Sequence, residues 1–437
     1  MGRGERVGDR PGGGVTPRDP EFGLLTPETL SLFTDRYELA MMQGYYEAGH
    51  DPRATFDLFF RSLPADRGYV VAAGLEQVVH YLEHLTFGDE ALDYLADLGF
   101  SAAFRSSLAE FESLVLNQVG YQSLVATKAA RMRDVVDREG DGQSLVDFGS
   151  RRAHGTDAGL KAAQAAYVGG FTGTSNVAAG AAFDLPVVGT MAHSWVQSFL
   201  SERAAFEAFV DVYGDSSVLL VDTYDTVAGA ETAMAVAADR GVDLAGVRLD
   251  SGDLVALSRR VAEVVGDTPI VVSSGVDEYE IAAFLAAGGV AAGFGPGTAL
   301  TTSADAPSLD VVYKLVAVER DGEVQPSMKL STGKTTYPCP KSVRRVERDG
   351  RFHRDVIGRR DETGPGEELL VDVFEAGSRV YSLPDLGEVR DRRRDQVASL
   401  PSGVRALRDP VTYPVRVSDG LAETTERLRA DLRGTDA

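Results

Sequence analysis

The chain has 437 residues, enough for about three domains or for one barrel with added layers. Acidic residues outnumber basic residues by 66 to 44 and give a formal net charge of -22, so a nucleic acid or an anionic membrane, which needs a basic face, is not an expected partner. A single cysteine excludes an intramolecular disulfide bond and a cysteine-cluster metal site, and no apolar run is long enough for a membrane-spanning helix.

The basic residues are unevenly distributed between six lysines and 38 arginines. Many acids with few lysines are typical of a protein adapted to a salt-rich cytoplasm, where salt screens self-repulsion. The alternative explanation is a GC-rich genome, which favours Ala, Arg, Gly and Asp. We favour salt adaptation, because arginine enrichment alone does not produce the net charge.

Residues 1–20 consist mainly of glycine, arginine and proline and contain almost nothing apolar. Such a segment cannot bury enough surface to order itself, so we expect a disordered tail. It also lacks the apolar stretch of a signal peptide, and a reduced cytoplasmic compartment is therefore the expected location.

The next segment, residues 22–125, is predicted to be mostly helical. Helical patterns cover residues 27–44, 74–85, 90–98 and 101–116, and a strand-like pattern covers residues 54–60. The first helix begins after Thr34, a good N-cap residue.

From about residue 144 onward, apolar runs alternate with amphipathic helical stretches. The apolar runs cover residues 145–148, 186–191, 218–221, 246–249, 270–272, 290–294 and 311–318, with a shorter one at 167–171. The helical stretches cover residues 156–167, 196–213, 226–240, 252–265 and 277–287. This alternation predicts a parallel sheet, and its repetition favours a (β/α) barrel with an active site at the C-terminal rim.

Residues 325–420 are rich in proline, glycine and turns, with short β patterns at 369–374 and 378–382. Neither end of the chain resembles a complete domain. We therefore expect one α/β domain built from residues 21–130 and 325–437, which embraces a barrel formed by residues 131–324.

Two neighbouring glycine-containing loops of the predicted rim suit a phosphate group. Gly295-Pro296-Gly297-Thr298 follows a buried strand and opens a helical turn, and Ser273-Ser274-Gly275 lies one βα unit earlier. Glycines let the backbone approach a ligand, and a helix N-terminus presents free N–H groups. Ordinary tight turns are the alternative for either loop alone.

Strand alternation places Arg248 and Asp250 on the same face of another strand. A carboxylate beside an arginine can hold ribose hydroxyls while the cation meets phosphate. Asp250 and Asp253 are also candidates for holding Mg²⁺ through water, although no definite metal ligand is assigned. A structural ion pair with an aspartate N-cap is the alternative.

Two further rim positions carry candidate chemistry. His193 follows a strand, and Asp222 on the next strand is placed to orient an imidazole that acts as nucleophile or acid–base group. Phe148 and Arg151 sit at one strand end, where a planar anionic ring could stack on the phenyl group while the cation meets its carboxylate. A structural histidine and a solvated basic rim are the alternatives.

Together these residues resemble the nicotinate phosphoribosyltransferase family across roughly residues 24–345. The motifs are Thr34-Asp35-Arg36-Tyr37-Glu38-Leu39-Ala40-Met41, Phe59-Phe60-Arg61, Ala73-Gly74-Leu75-Glu76-Gln77, Asp147-Phe148-Gly149-Ser150-Arg151-Arg152-Ala153, Gly173-Thr174-Ser175-Asn176, Gly189-Thr190-Met191-Ala192-His193-Ser194, Val221-Asp222-Thr223-Tyr224-Asp225, Arg248-Leu249-Asp250-Ser251-Gly252-Asp253 and Gly293-Phe294-Gly295. The resemblance implies an α/β fold, a type II phosphoribosyltransferase (β/α) barrel with an α/β domain formed by both chain ends. It implies ATP-coupled transfer of phosphoribosyl from phosphoribosyl pyrophosphate to nicotinate, with Mg²⁺, in NAD salvage.

The resemblance also implies roles for single residues. His193 would be phosphorylated by ATP with Asp222 orienting it, and Arg248 and Asp250 would hold the phosphoribosyl part. Phe148 would stack on the pyridine ring, and Arg151 would contact nicotinate or the product phosphate. The 5′-phosphate would be held by Ser274, Gly275, Gly295, Gly297 and Thr298. Asp35 and Tyr37 would reach into the neighbouring subunit's site, which implies a homodimer with shared active sites.

Two related enzyme families and a non-catalytic sensor are the alternatives to this resemblance, and one sequence difference from the family affects a loop. Nicotinamide phosphoribosyltransferases have an aspartate where Ser175 stands, and a neutral serine favours nicotinate because it does not repel a carboxylate. Quinolinate phosphoribosyltransferases are shorter and have no use for His193, and a non-catalytic sugar-phosphate sensor would not need the catalytic set. Cys339 stands where the family usually has glycine, so the loop around it is expected to be shaped differently.

Overall fold

The computed structural model describes residues 30–106, 108, 112–331 and 336–434. The predicted disordered tail, residues 1–20, lies outside the described residues. No helix in the described part of the chain has the length and apolar character needed to cross a bilayer.

Helices and strands alternate through the centre of the chain. The α-helices are α1 (Arg36–Glu47), α2 (Leu75–His84), α3 (Asp89–Asp97), α4 (Ala102–Arg105), α5 (Glu112–Glu139), α6 (Thr156–Val168), α7 (Val177–Phe183), α8 (His193–Gln197), α9 (Glu202–Tyr213), α10 (Thr226–Arg240), α11 (Leu254–Val265), α12 (Glu278–Ala286), α13 (Thr298–Thr301), α14 (Leu386–Ser399) and α15 (Asp419–Gly434). The strands are β1 (Ala54–Phe60), β2 (Ser144–Asp147), β3 (Gly173–Thr174), β4 (Val218–Leu220), β5 (Gly246–Leu249), β6 (Ile270–Ser273), β7 (Gly293–Gly295), β8 (Val311–Arg320), β9 (Glu323–Pro326), β10 (Lys341–Arg348), β11 (Arg351–Arg359), β12 (Glu367–Glu368), β13 (Phe374–Glu375), β14 (Ser378–Arg379) and β15 (Val415–Val417).

Six of these strands form one parallel sheet in the order β3-β2-β7-β6-β5-β4. Beyond β3, a parallel bridge joins Thr174 to Val187. Thr190, a few residues later, donates its hydroxyl to the carbonyl oxygen of Val218 on β4 at 2.7 Å. The segment around residue 187 therefore links the two outer strands, and the sheet curls round as the predicted α/β barrel requires.

Aspartate caps set where three of the barrel helices begin. Asp225, Asp253 and Asp277 each accept hydrogen bonds from backbone N–H groups in the first turns of α10, α11 and α12. A capping carboxylate satisfies N–H groups that have no partner within the helix. β4, β5 and β6 are thus each followed by a short rim loop and then by a helix with a capped N-terminus.

Both flanks of the barrel segment contribute to further sheets. β1, predicted at residues 54–60, pairs antiparallel with β8, and β9 extends that sheet. β10 and β11 form a long antiparallel pair that β12 and β15 complete. Lys341 on β10 and Asp57 on β1 form an ion pair at 2.8 Å, so the two chain ends meet in the expected α/β layer.

Some boundaries predicted from the sequence are wrong. The run at 311–318 forms β8 and lies outside the barrel sheet, and the run at 167–171 is the end of α6 and its turn. Periodicity does not distinguish a short buried strand from a helix end. Ser201 starts α9 by accepting a hydrogen bond from Ala204, so the stretch at 196–213 divides into two helices.

The flanking patterns show similar differences. The helix predicted at 101–116 is two helices, because α4 ends at Arg105 and α5 runs to Glu139. The helix predicted at 27–44 begins only at Arg36, and its N-cap residue is Asp35 rather than the predicted Thr34. The β patterns at 369–374 and 378–382 yield only the two-residue strands β13 and β14.

The loop around Cys339 adopts a backbone conformation that favours glycine. Cys339 has φ of +72°, a left-handed value that is unfavourable for a side chain with a Cβ atom. Lys341 braces the loop through Nζ, which donates to the carbonyl oxygens of Tyr337 and Cys339 and to Asp57. The loop thus has a glycine-like conformation even though a cysteine stands there.

Candidate functional site

His193 is the first residue of α8 and lies among carboxylates at the barrel rim. Its Nδ1 atom is 3.1 Å from the Thr223 hydroxyl. Its Nε2 atom is 3.9 Å from Asp222 Oδ1 and 3.8 Å from Asp250 Oδ2. The hydrogen-bond partner of the imidazole is therefore Thr223 rather than Asp222, because the distance from Nε2 to Asp222 Oδ1 is too long for a hydrogen bond.

Asp222 is a buried carboxylate with one oxygen engaged and one facing the site. Its Oδ2 accepts from the Asp250 backbone N–H at 2.9 Å and from the Ser251 hydroxyl at 2.5 Å. Its Oδ1 is buried and makes no hydrogen bond to any described residue. A buried carboxylate oxygen without a donor is costly, so this position favours a cationic or proton-donating partner.

Arg248 and Asp250 lie side by side, as strand alternation predicts. Arg248 Nη2 is 3.5 Å from Asp250 Oδ2, and its other nitrogens donate to Ser273 Oγ and to the Met191 carbonyl oxygen. Ser273 in turn donates to Asp250 Oδ1 at 2.6 Å. Burial lowers the pKa of the Arg248 guanidinium below its usual value. These contacts hold Arg248 and Asp250 in one arrangement at the end of β5.

Phe148 packs closely against the loop after β7. Its backbone N–H donates to the Pro296 carbonyl oxygen at 3.0 Å. A Cβ atom added at Gly295 would lie 2.4 Å from Cδ2 of the Phe148 ring. Gly295 therefore makes room for the phenyl ring, which also lies beneath the Arg248 guanidinium at 5.9 Å.

Asp147, at the end of β2, joins two rim loops and was not singled out by sequence reasoning. Its carboxylate accepts from the Gly149 backbone N–H and from the Thr174 hydroxyl, both at 2.8 Å. Its carbonyl oxygen accepts from the Ser175 backbone N–H at 2.8 Å. Burial raises the pKa of the carboxyl group, and these two hydrogen bonds oppose the effect. A polar residue that ends a buried strand was the available sequence signal.

The two proposed phosphate loops expose their backbones at neighbouring strand ends. Ser274 and Gly275 have φ of +79° and +66° and are exposed. A positive φ at a serine is uncommon, and such strain concentrates at functional sites. Gly297 and the exposed Thr298 open α13 after β7, which pairs with β6.

Other predicted residues lie in different surroundings. Arg151 is exposed in a turn after β2, and the Asp253 carboxylate caps α11. Asp35 and Tyr37 border a cleft of about 440 Å³ at the start of α1, and none of the rim residues named above lines it. Among the residues that the structure describes, no cluster of three or more His, Cys, Asp or Glu is arranged to hold a metal ion.

Sequence comparison matches three profiles in chain order. They are the nicotinate phosphoribosyltransferase N-terminal domain at residues 32–122, the nicotinate phosphoribosyltransferase family at 143–350 and the nicotinate phosphoribosyltransferase C-terminal domain at 362–425. Nicotinate phosphoribosyltransferase pncB2 of Mycobacterium tuberculosis is 42% identical, over 91% of this chain and 94% of its own. Nicotinate phosphoribosyltransferase of Bacillus subtilis is 35% identical, over 91% and 95%.

Comparison with solved structures gives the same result as the sequence comparison. The crystal structure of human nicotinic acid phosphoribosyltransferase superposes with a TM-score of 0.77 at 27% identity, covering 90% of this chain and 99% of that one. Nicotinate-nucleotide pyrophosphorylase from Pyrococcus furiosus shares the fold, with a TM-score of 0.67 at 23% identity over 86% and 98%.

Proposed function

Since this chain belongs to the nicotinate phosphoribosyltransferase family, we propose a role for each rim residue in its reaction. The enzyme transfers phosphoribosyl from phosphoribosyl pyrophosphate to nicotinate and releases nicotinate mononucleotide and pyrophosphate, the entry of nicotinate into NAD salvage. Its fold is the type II phosphoribosyltransferase barrel with a domain from both chain ends.

The nicotinate ring nitrogen attacks the anomeric carbon while the carbon–oxygen bond to pyrophosphate breaks. Positive charge builds on the sugar and negative charge on the leaving group, so the protein acts by positioning and electrostatic stabilisation. Phe148 stacks on the pyridine ring and Arg151 meets its carboxylate. Arg248 and Asp250 hold the phosphoribosyl part, and their interlocked contacts at one strand end are the observation that carries this assignment.

The 5′-phosphate is assigned to the two exposed loops. Ser274, Gly275, Gly297 and Thr298 present backbone N–H groups and hydroxyls there, which suits an anion. Gly295 contributes by admitting the Phe148 ring, since its own position is buried.

ATP is the proposed co-substrate, with His193 as phosphoryl acceptor. An imidazole nitrogen attacks the γ-phosphorus, the bond to the β-phosphate oxygen breaks, and ADP leaves. Thr223 fixes the ring orientation through Nδ1. The phosphohistidine would add negative charge beside Asp222 and Asp250. With Mg²⁺ bound there, this charge would help to hold the metal and thereby order the site for phosphoribosyl pyrophosphate.

Mg²⁺ fits the carboxylates that face His193. The ion usually takes one or two protein carboxylates and completes its shell with water and substrate phosphates. The partnerless Oδ1 of Asp222 and the Asp250 carboxylate provide that set. When bound there, Mg²⁺ would neutralise negative charge on the pyrophosphate group.

A homodimer with shared sites is supported by the surface of α1. Tyr37, Met41 and Tyr45 recur every fourth residue along one face and are 54%, 46% and 51% exposed. An exposed apolar stripe of this kind suits burial against another protein. A second copy docked there would bring Asp35 and Tyr37 toward its partner's rim.

The proposal also covers the domain bounds, the cellular compartment and adaptation to salt. The barrel domain spans residues 131–324 and the α/β domain spans 21–130 with 325–437. The ion pair between Asp57 on β1 and Lys341 on β10 supports this division, whereas β8 and the helix α5, which runs across residue 130, do not follow it. The compartment is the cytoplasm, and the net charge of -22 supports adaptation to a salt-rich one.

Pyrophosphate release measured with nicotinate, nicotinamide and quinolinate, with and without ATP and in low and molar KCl, tests the assignment. We expect nicotinate to be the preferred acceptor and ATP to stimulate its use. Preference for nicotinamide or quinolinate would overturn the substrate assignment, and no release with any pyridine would favour a sugar-phosphate sensor.

A further inference from the structure

A buried ion cluster lies behind the two phosphate loops. It consists of Arg67, Lys128, Arg131, Glu278 and Asp305. The Lys128 and Glu278 side chains are completely buried, and the two arginines are almost so. Buried charges are rare in proteins unless they are paired, so the four buried members of this cluster warrant a specific explanation.

Lys128 makes the closest link between the two carboxylates. Its Nζ atom is 2.7 Å from Glu278 Oε2 and 2.6 Å from Asp305 Oδ1. Arg131 Nε is 2.9 Å from Glu278 Oε1, and Arg67 Nη2 is 2.8 Å from Asp305 Oδ2. Burial alone would raise the pKa of Asp305, but hydrogen bonds from Lys128 and Arg67 outweigh it and lower the pKa to about 2.

The two carboxylates follow the two phosphate loops in the chain, Glu278 directly and Asp305 after the intervening helix α13. Glu278 is the first residue of α12, three positions after Gly275. Asp305 lies just beyond α13, which begins at Thr298. The cations come from elsewhere, because Lys128 and Arg131 belong to α5 and Arg67 precedes α2. One ammonium group from outside the barrel sheet thus joins the start of α12, which follows the first loop, to the segment after α13, the helix that follows the second loop.

We propose that Lys128 is a positioning residue for the phosphoribosyl substrate, which sets the spacing of the Ser274-Gly275 loop and the Gly297-Thr298 loop so that both meet one phosphate group. This inference rests on the proposed function, which assigns those loops to the 5′-phosphate. Lys128 is buried behind the loops and acts through Glu278 and Asp305. The competing explanation is that the cluster only stabilises the fold.

The test is Lys128→Met, which keeps the length of the side chain and removes its charge. We expect the KM for phosphoribosyl pyrophosphate to rise about tenfold or more, since small displacements of binding groups are costly. The KM for nicotinate, and kcat at saturating phosphoribosyl pyrophosphate, should stay within about twofold, because the ring site is not altered.

Arg405→Met is the matched control, since it breaks another, partly buried ion pair to α5, the helix that carries Lys128. This pair joins Arg405 to Asp134 of α5. It should lower the thermal unfolding midpoint and leave both KM values unchanged. Asp305→Asn is a milder second variant, because this side chain is 33% exposed, and it should raise the same KM by a smaller factor.

The possible results distinguish a failure of the positioning role of Lys128 from a failure of the proposed function. An unchanged KM for phosphoribosyl pyrophosphate in folded Lys128→Met or Asp305→Asn, with stability lowered as in Arg405→Met, would overturn the positioning role. Equal changes in the KM for both substrates would overturn it as well. Failure of the unaltered enzyme to use phosphoribosyl pyrophosphate would instead contradict the proposed function.

Discussion

Ser175 is the residue on which the choice between nicotinate and nicotinamide is expected to depend. Its backbone is fixed by a hydrogen bond to Asp147 and its side chain is half-buried. In Ser175→Asp, like-charge repulsion of the substrate carboxylate should lower kcat/KM for nicotinate about 100-fold, at about 1.4 kcal/mol per tenfold. Nicotinamide, which carries no charge, should lose much less, as a comparison of kcat/KM for both pyridines will measure.

Ser175→Asn is the control, because it adds a side chain of the same size without charge. It should affect both pyridines alike and only modestly. Equal losses for the two pyridines in Ser175→Asp would mean that Ser175 does not face the ring substituent.

Some contacts of single residues follow from strand geometry and others do not. The neighbouring positions of Arg248 and Asp250 were predictable, because alternation along a strand fixes which side chains share a face. The contact of His193 with Thr223 was not, because His193 sits in a helix that follows its strand, so no strand register relates the two side chains. Asp147 was missed for a different reason, because its partner Thr174 lies opposite it on β3, a two-residue strand that no apolar run in the sequence predicts.

At the level of elements, close packing of the loops after β2 and β7 shapes the proposed ring site. In Gly295→Ala the new Cβ atom would meet the Phe148 ring, so the ring must move. We expect the KM for nicotinate to rise about tenfold, because stacking geometry is lost. Steady-state kinetics with nicotinate varied at saturating phosphoribosyl pyrophosphate will measure the effect.

Gly189→Ala is the matched control on another segment of the rim, where an added Cβ atom has no heavy atom within 4 Å. It should leave the KM for nicotinate unchanged. An unchanged KM in Gly295→Ala as well would argue against stacking of the pyridine ring on Phe148.

The elements of the barrel were largely predictable, and those of the flanks were not. Barrel strands are short, apolar and separated by amphipathic helices, so pattern and spacing reinforce one another. The run at 186–191, which the sequence predicts as a strand, forms only a single bridge at Val187 and no strand. The run at 311–318 was predicted to be a barrel strand, because an apolar run does not show which strand it pairs with. In the structure this run is β8 and pairs with β1.

For the whole molecule, a net charge of -22 predicts dependence on salt. Mutual repulsion of surface carboxylates acts over ~30 Å at 0.01 M salt and only ~3 Å at 1 M. We expect a lower unfolding temperature or inactivation in dilute buffer, and recovery in molar KCl. Thermal unfolding and activity measured across a KCl series provide the test.

Sucrose serves as the control, since it stabilises compact states by exclusion from the protein surface without screening charge. It should not replace KCl. Full activity and an unchanged unfolding temperature in dilute buffer would contradict salt adaptation.

In this proposal, several rim residues together couple phosphoribosyl transfer to ATP hydrolysis, and His193 is the proposed phosphoryl acceptor. His193→Ala should abolish ATP hydrolysis and the stimulation of transfer by ATP. A slow transfer without ATP should remain, because Phe148 and Arg151 position the ring independently. Thr223→Val, which removes only the hydroxyl beside Nδ1, should weaken coupling without abolishing it.

The most direct measurement follows ADP and nicotinate mononucleotide side by side in the unaltered enzyme and in His193→Ala. The unaltered enzyme should form both products together, and the variant should form nicotinate mononucleotide slowly, with no ADP and no response to ATP. Continued ATP turnover linked to nicotinate mononucleotide formation in His193→Ala would contradict the assignment of His193 as the phosphoryl acceptor.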